Sequence, residues 1–194
     1  MIAFVRGRFT RKTPSQVIVD VNGVGYELQI SLHTYSHISN KDEGQLVTYL
    51  HITENAQTLF GFFAQDEKEL FLQLISVSGV GASTARMMLS GLNPAEIIKA
   101  IVQGNTKLLE SVKGIGRKTA ERLVLELREK LGKISLENAA GSNNYRSVEQ
   151  DAVNALVGLG IGKPMAESAV KKVLDSAKEI LSLEDIIKQA LKNL

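Results

Sequence analysis

The feature that most constrains the fold of this chain is a ten-residue segment that occurs twice. Residues 76–85 read SVSGVGASTA, and residues 111–120, which begin 35 positions later, read SVKGIGRKTA. Both copies contain Ser-Val, two glycines around a β-branched residue, and Thr-Ala. Each copy lies between apolar segments with helical periodicity, so the repeat predicts two helix–hairpin–helix units.

The Gly-x-Gly turn of each unit predicts a phosphate-binding site. Its middle residue, Val80 or Ile115, is expected to pack inward. The flanking glycines leave backbone N–H groups accessible, and the next helix adds free N–H groups and its positive dipole end. These glycines are Gly79, Gly81, Gly114 and Gly116. None of these groups contacts a base edge, so the predicted binding is independent of base sequence and sensitive to salt.

The two copies differ in charge. The second turn is followed by three basic residues, Arg117, Lys118 and Arg122. Within residues 111–122 only Glu121 opposes them. The first copy offers the hydroxyls of Ser83 and Thr84, backbone amides, and Arg86 as a further candidate. We therefore expect the second hairpin to provide most of the charge attraction.

Overall composition limits the function classes. The chain has 194 residues and a net charge of +2, but residues 64–133 contain eleven basic and eight acidic side chains. Aromatic residues make up 5% and tryptophan is absent, which argues against single-strand binding by base stacking. Cysteine is absent, which fits a reducing compartment. No apolar run suggests a signal peptide or membrane span, so we expect a soluble, cytoplasmic protein.

The chain divides into four predicted segments, which together form a multidomain α+β protein. Residues 1–63 contain short β-rich runs (1–10, 16–21, 26–32, 45–52 and 57–63) that predict an OB-fold β-barrel. Residues 64–133 form the tandem helix–hairpin–helix domain, with helices over 66–74, 95–102 and 119–131. Residues 134–148 are predicted to be a flexible linker. Residues 149–194 predict a three-helix bundle that resembles a ubiquitin-associated domain, with helices over 148–156, 165–175 and 183–191.

Local signals mark two of the central helices. Asn93 is the predicted N-cap of the helix over 95–102, with Pro94 at its first position. Gly132 is predicted to end the helix over 119–131.

Nearly the whole chain resembles the RuvA family, the Holliday-junction-binding subunit of the bacterial branch-migration helicase. The resemblance rests on MIAFVRGRF, DVNGVGYEL, TENAQTLFGFF, LSGLNPAEII, GIGRKTAERLVLELREK and ALVGLGIGKPMAESAV. It implies a homotetramer, or an octamer on DNA, that holds the four arms of an open junction through the paired hairpins. It also implies two protein partners, the hexameric RuvB ATPase and the RuvC resolvase. Apolar tail residues would contact RuvB, and the candidates are Leu156, Leu159 and Ile161.

This sequence departs from the family at two positions. Family members usually carry two adjacent acidic residues in a barrel loop, which form a negative pin at the junction centre. Here the pair is Glu54 and Asn55, so a tetramer would hold four central carboxylates instead of eight, and we expect tighter junction binding. The second departure is Ser83, where relatives often have a basic residue.

Three other functions are less consistent with the sequence: an enzyme, a generic helix–hairpin–helix module and a protein-interaction scaffold. An enzyme lacks support, because His33, His37 and His51 have no neighbouring catalytic partners and residues 158–164, GLGIGKP, lack the Walker spacing. The sequence therefore predicts no catalytic residues, no metal site and no cofactor, and ATP hydrolysis is assigned to the partner. A generic helix–hairpin–helix module would bind duplex as well as junctions. A protein-interaction scaffold would not bind DNA at all.

Overall fold

The computed structural model describes residues 1–139, 144–176 and 181–193, with only the backbone given at 133–139, 144–147, 150 and 176. The chain forms two compact units, Met1–Leu136 and Glu137–Leu194.

Five strands form a closed barrel at the start of the first unit. They are β1 (Phe4–Thr13), β2 (Gln16–Val21), β3 (Val24–Gln29), β4 (Glu43–Ile52) and β5 (Gln57–Phe62), in the order β1-β2-β3-β5-β4. The pairing is antiparallel except between β3 and β5, which pair in parallel at Gln29 and Phe60. Alternate residues such as Val17 and Val19 point into the barrel and are fully buried. The predicted barrel is confirmed.

A short helix that was not predicted from the sequence connects two strands of the barrel. Helix α1 (Leu32–Ile38) lies between β3 and β4, and the Ser31 side chain caps it by accepting a hydrogen bond from the Thr34 N–H at 3.0 Å. The strand predicted over residues 26–32 was therefore too long, since β3 ends at Gln29. A serine that can cap a helix overrides the β-rich run at this point.

Five helices follow the barrel: α2 (Gln65–Ile75), α3 (Ala82–Gly91), α4 (Pro94–Gln103), α5 (Thr106–Glu110) and α6 (Arg117–Ala139), of which only the last three residues of α6 fall outside the first unit. The predicted cap of α4 is confirmed, because Asn93 and Glu96 form a reciprocal capping box. The prediction that Gly132 ends α6 was wrong. The helix continues through this glycine to Ala139, at the modest cost of about 1 kcal/mol that glycine carries inside a helix.

The barrel has a hydrophobic core of its own, around Val17, Val19 and Leu28, while the last strand, β5, also contributes to the core of the helices. Phe60 and Phe62 of β5 contact Phe71 of α2, with ring centroids 5.1 and 5.0 Å apart. Phe71 is fully buried, and burial of a side chain of this size contributes about 1.5–3 kcal/mol. The predicted barrel (residues 1–63) and helical segment (residues 64–133) thus lie in the same compact unit, Met1–Leu136.

Polar contacts reinforce this junction between barrel and helices. The Glu67 side chain on α2 is buried, and its carboxylate accepts hydrogen bonds from Ser31 Oγ at 2.6 Å, Thr34 Oγ1 at 2.7 Å and the Phe63 N–H at 3.2 Å. Arg86 on α3 donates from Nη1 to Ser15 O at 3.0 Å and to Gln29 Oε1 at 2.6 Å. Because buried polar groups are stable only when they are paired, these contacts fix α2 and α3 against the barrel.

The second unit contains three helices within its described residues: α7 (Asn144–Gly158), α8 (Lys163–Ser176) and α9 (Leu183–Lys192). Their core includes Val153, Leu156, Val170 and Ile186. The predicted linker, residues 134–148, is helical at both ends, because α6 reaches Ala139 and α7 begins at Asn144. The intervening residues 140–143 lie outside the described part of the chain.

Candidate nucleic-acid interface

The two predicted hairpins have the same backbone geometry. Gly79 and Gly114 have φ values of +94° and +96°, in the left-handed region that non-glycine residues rarely adopt. The Val80 N–H donates to Val77 O at 3.0 Å, and the Ile115 N–H donates to Val112 O at 3.1 Å. Each glycine therefore makes a tight turn possible. Equivalent residues of the two sequence repeats form the same backbone hydrogen bond.

The middle residue of each turn packs inward, as the sequence predicts. Val80 and Ile115 are 4% and 5% exposed and belong to the same hydrophobic core as α2 to α6. The glycines beside them, Gly79, Gly81, Gly114 and Gly116, are exposed. The buried middle side chain thus anchors each turn to the core, while the backbone of the flanking glycines faces solvent.

The two hairpins pack against each other reciprocally. A Cβ atom built on Gly79 would lie 3.8 Å from Thr119 Oγ1, and one built on Gly114 would lie 3.9 Å from Thr84 Cγ2 and 3.4 Å from Met87 Cε. Gly79 and Gly114 occupy equivalent positions of the repeat, and so do Thr84 and Thr119. The pairing of each glycine with the other repeat's threonine indicates a pseudo-twofold relation between the hairpins.

The helices that follow the hairpins begin without side-chain caps. Gly81 is the N-cap of α3 (φ −83°, ψ 168°) and makes no side-chain capping bond, and neither α3 nor α6 has an acidic residue in its first turn. By contrast, α4 and α9 have side-chain caps from Asn93 and Ser182 and acidic residues in their first turns. The first turns of α3 and α6 therefore keep an uncompensated positive end that favours an anion.

The polar side chains predicted to bind DNA in the first hairpin are accessible, with the exception of Arg86. Ser83 is exposed and Thr84 is half-buried on α3. Arg86, the further candidate, is instead committed to the barrel by its bonds to Ser15 and Gln29. The first hairpin therefore offers backbone amides and hydroxyls without an adjacent arginine.

The basic residues of the second hairpin differ in how they are paired. Arg117 Nε donates to Glu121 Oε1 at 2.9 Å, and Arg122 Nε donates to Glu126 Oε1 at 2.7 Å. The hydrogen bond that Arg117 donates to Glu121 and the negative charges of Glu121 and Glu110 raise the pKa of Arg117 above its ordinary value. Lys118 is exposed and has no ion-pair partner among the described residues.

The sequence interpretation counted only Glu121 against these cations, and this was incomplete. Glu126 contacts Arg122, and Glu110 influences Arg117. The i,i+4 spacing from Arg122 to Glu126 was readable in the sequence, but Glu110 comes close only because α5 and α6 flank the hairpin.

The predicted pin residues, Glu54 and Asn55, lie at the tip of the β4–β5 hairpin. Both are exposed. The loop is closed by Thr53, whose N–H and Oγ1 donate to Ala56 O at 2.9 and 3.1 Å. The two side chains therefore project from a short, hydrogen-bonded loop at one end of the barrel.

The three tail candidates have different environments. Leu156 is fully buried in the core of the second unit, so its side chain packs within that core and is not accessible to a partner, in contrast to the expectation from the sequence. Ile161 is half-buried against the same core, and Leu159 is 65% exposed. Leu159 is therefore the only one of the three with most of its surface available.

The described residues contain neither a metal-binding cluster nor a membrane-spanning helix. No group of three or more His, Asp or Glu side chains is placed to hold a metal ion. No helix in the described ranges combines the length and apolar character that a membrane span needs.

Three family descriptions match the chain in succession. The RuvA N-terminal domain matches residues 1–61, the SAM-like helix-hairpin-helix tandem matches residues 71–129, and the RuvA C-terminal domain matches residues 147–194. The order is that of the barrel, the paired hairpins and the C-terminal helices, so the fold class predicted from the sequence is confirmed.

Curated relatives match over their full length. Proteins from Cytophaga hutchinsonii and Amoebophilus asiaticus are each 44% identical to the chain, with at least 99% of both sequences covered. A protein from Geobacter metallireducens is 46% identical, with 99% of this chain and 98% of the relative covered. All three are named Holliday junction branch migration complex subunit RuvA. Since similarity of this extent accompanies the same order of domains, the chain belongs to the RuvA family.

Proposed function

We propose that this protein binds four-way DNA junctions without sequence specificity, holds them open and recruits the RuvB ATPase for branch migration. The observation that carries the proposal is the reciprocal packing of the two hairpins. Their exposed glycines and uncapped helix starts lie in one body with the β4–β5 loop. Relatives named as junction branch migration subunits support the choice of DNA substrate.

Each hairpin would bind one backbone of a duplex arm. The accessible groups are backbone amides, hydroxyls and cations, which recognise phosphates and not base edges. In the first hairpin the binding residues would be Gly79, Val80, Gly81, Ser83 and Thr84. In the second they would be Gly114, Ile115, Gly116, Arg117, Lys118 and Arg122. Val80 and Ile115 would contribute through their backbone only, because their side chains are buried.

The β4–β5 loop would lie at the junction centre in a homotetramer. Glu54 would repel phosphates there, while Asn55 adds no charge. The assembly state, one tetramer or two on a junction, stays a prediction, as do the cytoplasmic location and a complex with the RuvC resolvase. Catalysis is assigned to RuvB, so the chain itself would be a non-catalytic subunit.

The test is a gel-shift comparison of a four-way junction with a linear duplex of the same base composition, combined with a mass measurement of the complex. We expect a strong preference for the junction and a mass of four or eight protein chains. Equal affinity for both DNAs would favour a generic helix–hairpin–helix module.

A double variant tests whether the hairpins carry the binding. Gly116→Val places a side chain where nothing lies within 4 Å of the added Cβ, and Lys118→Ala removes an exposed cation. We expect loss of DNA binding with the helical content retained. Retained binding would favour the protein-interaction scaffold.

A further inference from the structure

We propose that Glu121 and Glu126 act as internal counter-charges that weaken the contacts of Arg117 and Arg122 with DNA phosphates, so that a bound arm is released readily. This inference rests on the proposed DNA-binding function and concerns how tightly the second hairpin binds. Glu121 and Glu126 are not expected to touch DNA. They would act through the arginines that they contact.

Each arginine is oriented by its glutamate partner and still has N–H groups that can reach a phosphate. In both pairs the carboxylate accepts a hydrogen bond from Nε, at 2.9 Å from Arg117 and 2.7 Å from Arg122. A guanidinium group has four further N–H donors on its two Nη atoms. The arginine can therefore still reach a phosphate, but a negative charge beside it offsets much of the attraction.

The order of the charges does not favour helix stability. In both pairs the arginine precedes the glutamate by four residues, which is the less stabilising arrangement on a helix. Arg117 also lies in the first turn of α6, where a cation opposes the helix dipole. Helix α9 shows the favourable order, with Glu184 before Lys188 at 2.6 Å. Lys163 and Glu167 on α8, 3.8 Å apart, have the same order as the pairs on α6. The order therefore shows only that the pairs on α6 are not the arrangement that best stabilises a helix.

The first hairpin lacks this arrangement altogether. The positions that correspond to Arg117 and Arg122 in the repeat are Ala82 and Met87, and Arg86, which corresponds to Glu121, is bonded to the barrel. Counter-charges therefore occur only in the repeat that has the basic residues. A hairpin that binds mainly through backbone amides needs none.

Weak individual contacts suit a protein whose DNA must move past it. Branch migration requires each arm to advance along its axis, so every phosphate contact must break and re-form. Exposed ion pairs are worth little, so each carboxylate should lower affinity by only about two- to five-fold. A change of this size alters the lifetime of a contact without abolishing binding.

The experiment compares Glu121→Gln and Glu126→Gln with wild type in titrations of a four-way junction and of linear duplex over a series of salt concentrations. Glutamine keeps the side-chain length and can still accept the Nε hydrogen bond. We expect each variant to raise junction affinity by about two- to five-fold, to slow dissociation, and to steepen the salt dependence of log K by up to about 0.9 per arginine.

Glu129→Gln is the matched control, because it makes the same charge change on the exposed surface of α6, and Glu129 forms no ion pair with an arginine among the described side chains. An equal gain in this control would show that only net charge matters and would overturn the inference. Unchanged or weaker binding by both glutamine variants would overturn it as well, since the carboxylates would then be orienting the arginines and not offsetting them.

The design separates the inference from the proposed function. Wild-type preference for the junction over duplex tests the proposed function, whereas the comparison among variants tests the counter-charges on whichever DNA is bound. Failure to bind either DNA would overturn both. With RuvB and ATP added, we expect the double variant Glu121→Gln/Glu126→Gln to migrate junctions more slowly than wild type, and equal or faster migration would contradict the role in release.

Discussion

Gly79 of the first hairpin faces Thr119 beyond the second, and Gly114 of the second faces Thr84 beyond the first, each at a distance where an added Cβ would make ordinary contact. Because these four positions correspond in pairs within the repeat, the two turns support each other. The spacing between them is set by the core they share, because Val80 and Ile115 are buried in the same cluster. Two phosphate-binding turns at a fixed spacing fit the two backbones of one duplex.

The absence of a side-chain cap on α3 gives a prediction in which stability and binding change in opposite directions. Gly81 has backbone angles that any residue adopts, and an added Cβ meets nothing within 4 Å. Gly81→Asp should cap the helix and raise the free energy of unfolding by about 0.5 kcal/mol. DNA affinity should fall by at least about tenfold, because a carboxylate would occupy the phosphate position.

Thermal unfolding and gel shifts of the same preparation measure both effects. Gly81→Ser is the control, since serine caps the helix without a charge and should lower affinity less. Unchanged affinity in Gly81→Asp would mean that the first hairpin does not contact DNA.

A lysine at Ser83 should strengthen the first hairpin. Ser83 is exposed one residue beyond the first position of α3, and it corresponds to Lys118 in the second copy. Ser83→Lys should raise junction affinity and steepen its salt dependence by about 0.9 in log K per log salt, because one more phosphate is neutralised. Ala95→Lys adds the same charge to α4 as a control. The same slope in Ser83→Lys as in wild type would contradict the placement of this hairpin at DNA.

The loop between β4 and β5 should respond to added negative charge. Asn55→Asp would give each loop two adjacent carboxylates at an exposed tip. Junction affinity should fall, because the phosphates at the crossover would meet a more negative centre. Asn40→Asp, in another exposed part of the barrel, controls for net charge. Unchanged or stronger junction binding by Asn55→Asp would refute the role of this loop.

The buried carboxylate of Glu67 should matter for stability. Glu67→Ala removes the acceptor for two hydroxyls and one backbone N–H, so the free energy of unfolding in urea should fall by about 3 kcal/mol. Glu69→Ala, at an exposed position of the same helix, should change it by less than about 0.5 kcal/mol. Equal effects of the two substitutions would show that the buried contacts are unimportant.

Two leucines in the second unit should separate partner binding from folding. Leu159→Asp changes a residue that is 65% exposed, so the unit should stay helical while RuvB binding weakens. Leu156→Asp places a charge in the core and should unfold the unit. Circular dichroism and a pull-down with RuvB distinguish them. Normal RuvB binding by Leu159→Asp would remove this residue from the proposed contact surface.

The repeat was enough to predict the hairpins, the inward packing of Val80 and Ile115, and the basic residues on α6. These features depend on residues that are close in sequence, where local conformation and helical spacing decide the outcome. The cap at Asn93 was predictable for the same reason. Its side chain needs only the backbone three residues ahead.

The contacts between barrel and helices could not be predicted in this way. Arg86 looks like a DNA-binding residue from its place after the first hairpin, yet its partners, Ser15 and Gln29, are more than 50 residues away in sequence. Glu67 likewise reads as an ordinary charge in the first turn of a helix. Only the packing of α2 against β5 and α1 buries it.

The core shared by β5 and α2 bears on how this chain could have diversified. A barrel cut after residue 63 would expose Phe60 and Phe62, and the helices without it would lose the partners of Phe71. Neither piece could be moved into another protein without redesign of the exposed surface. A substitution on one side of this interface is therefore expected to need a compensating change on the other side.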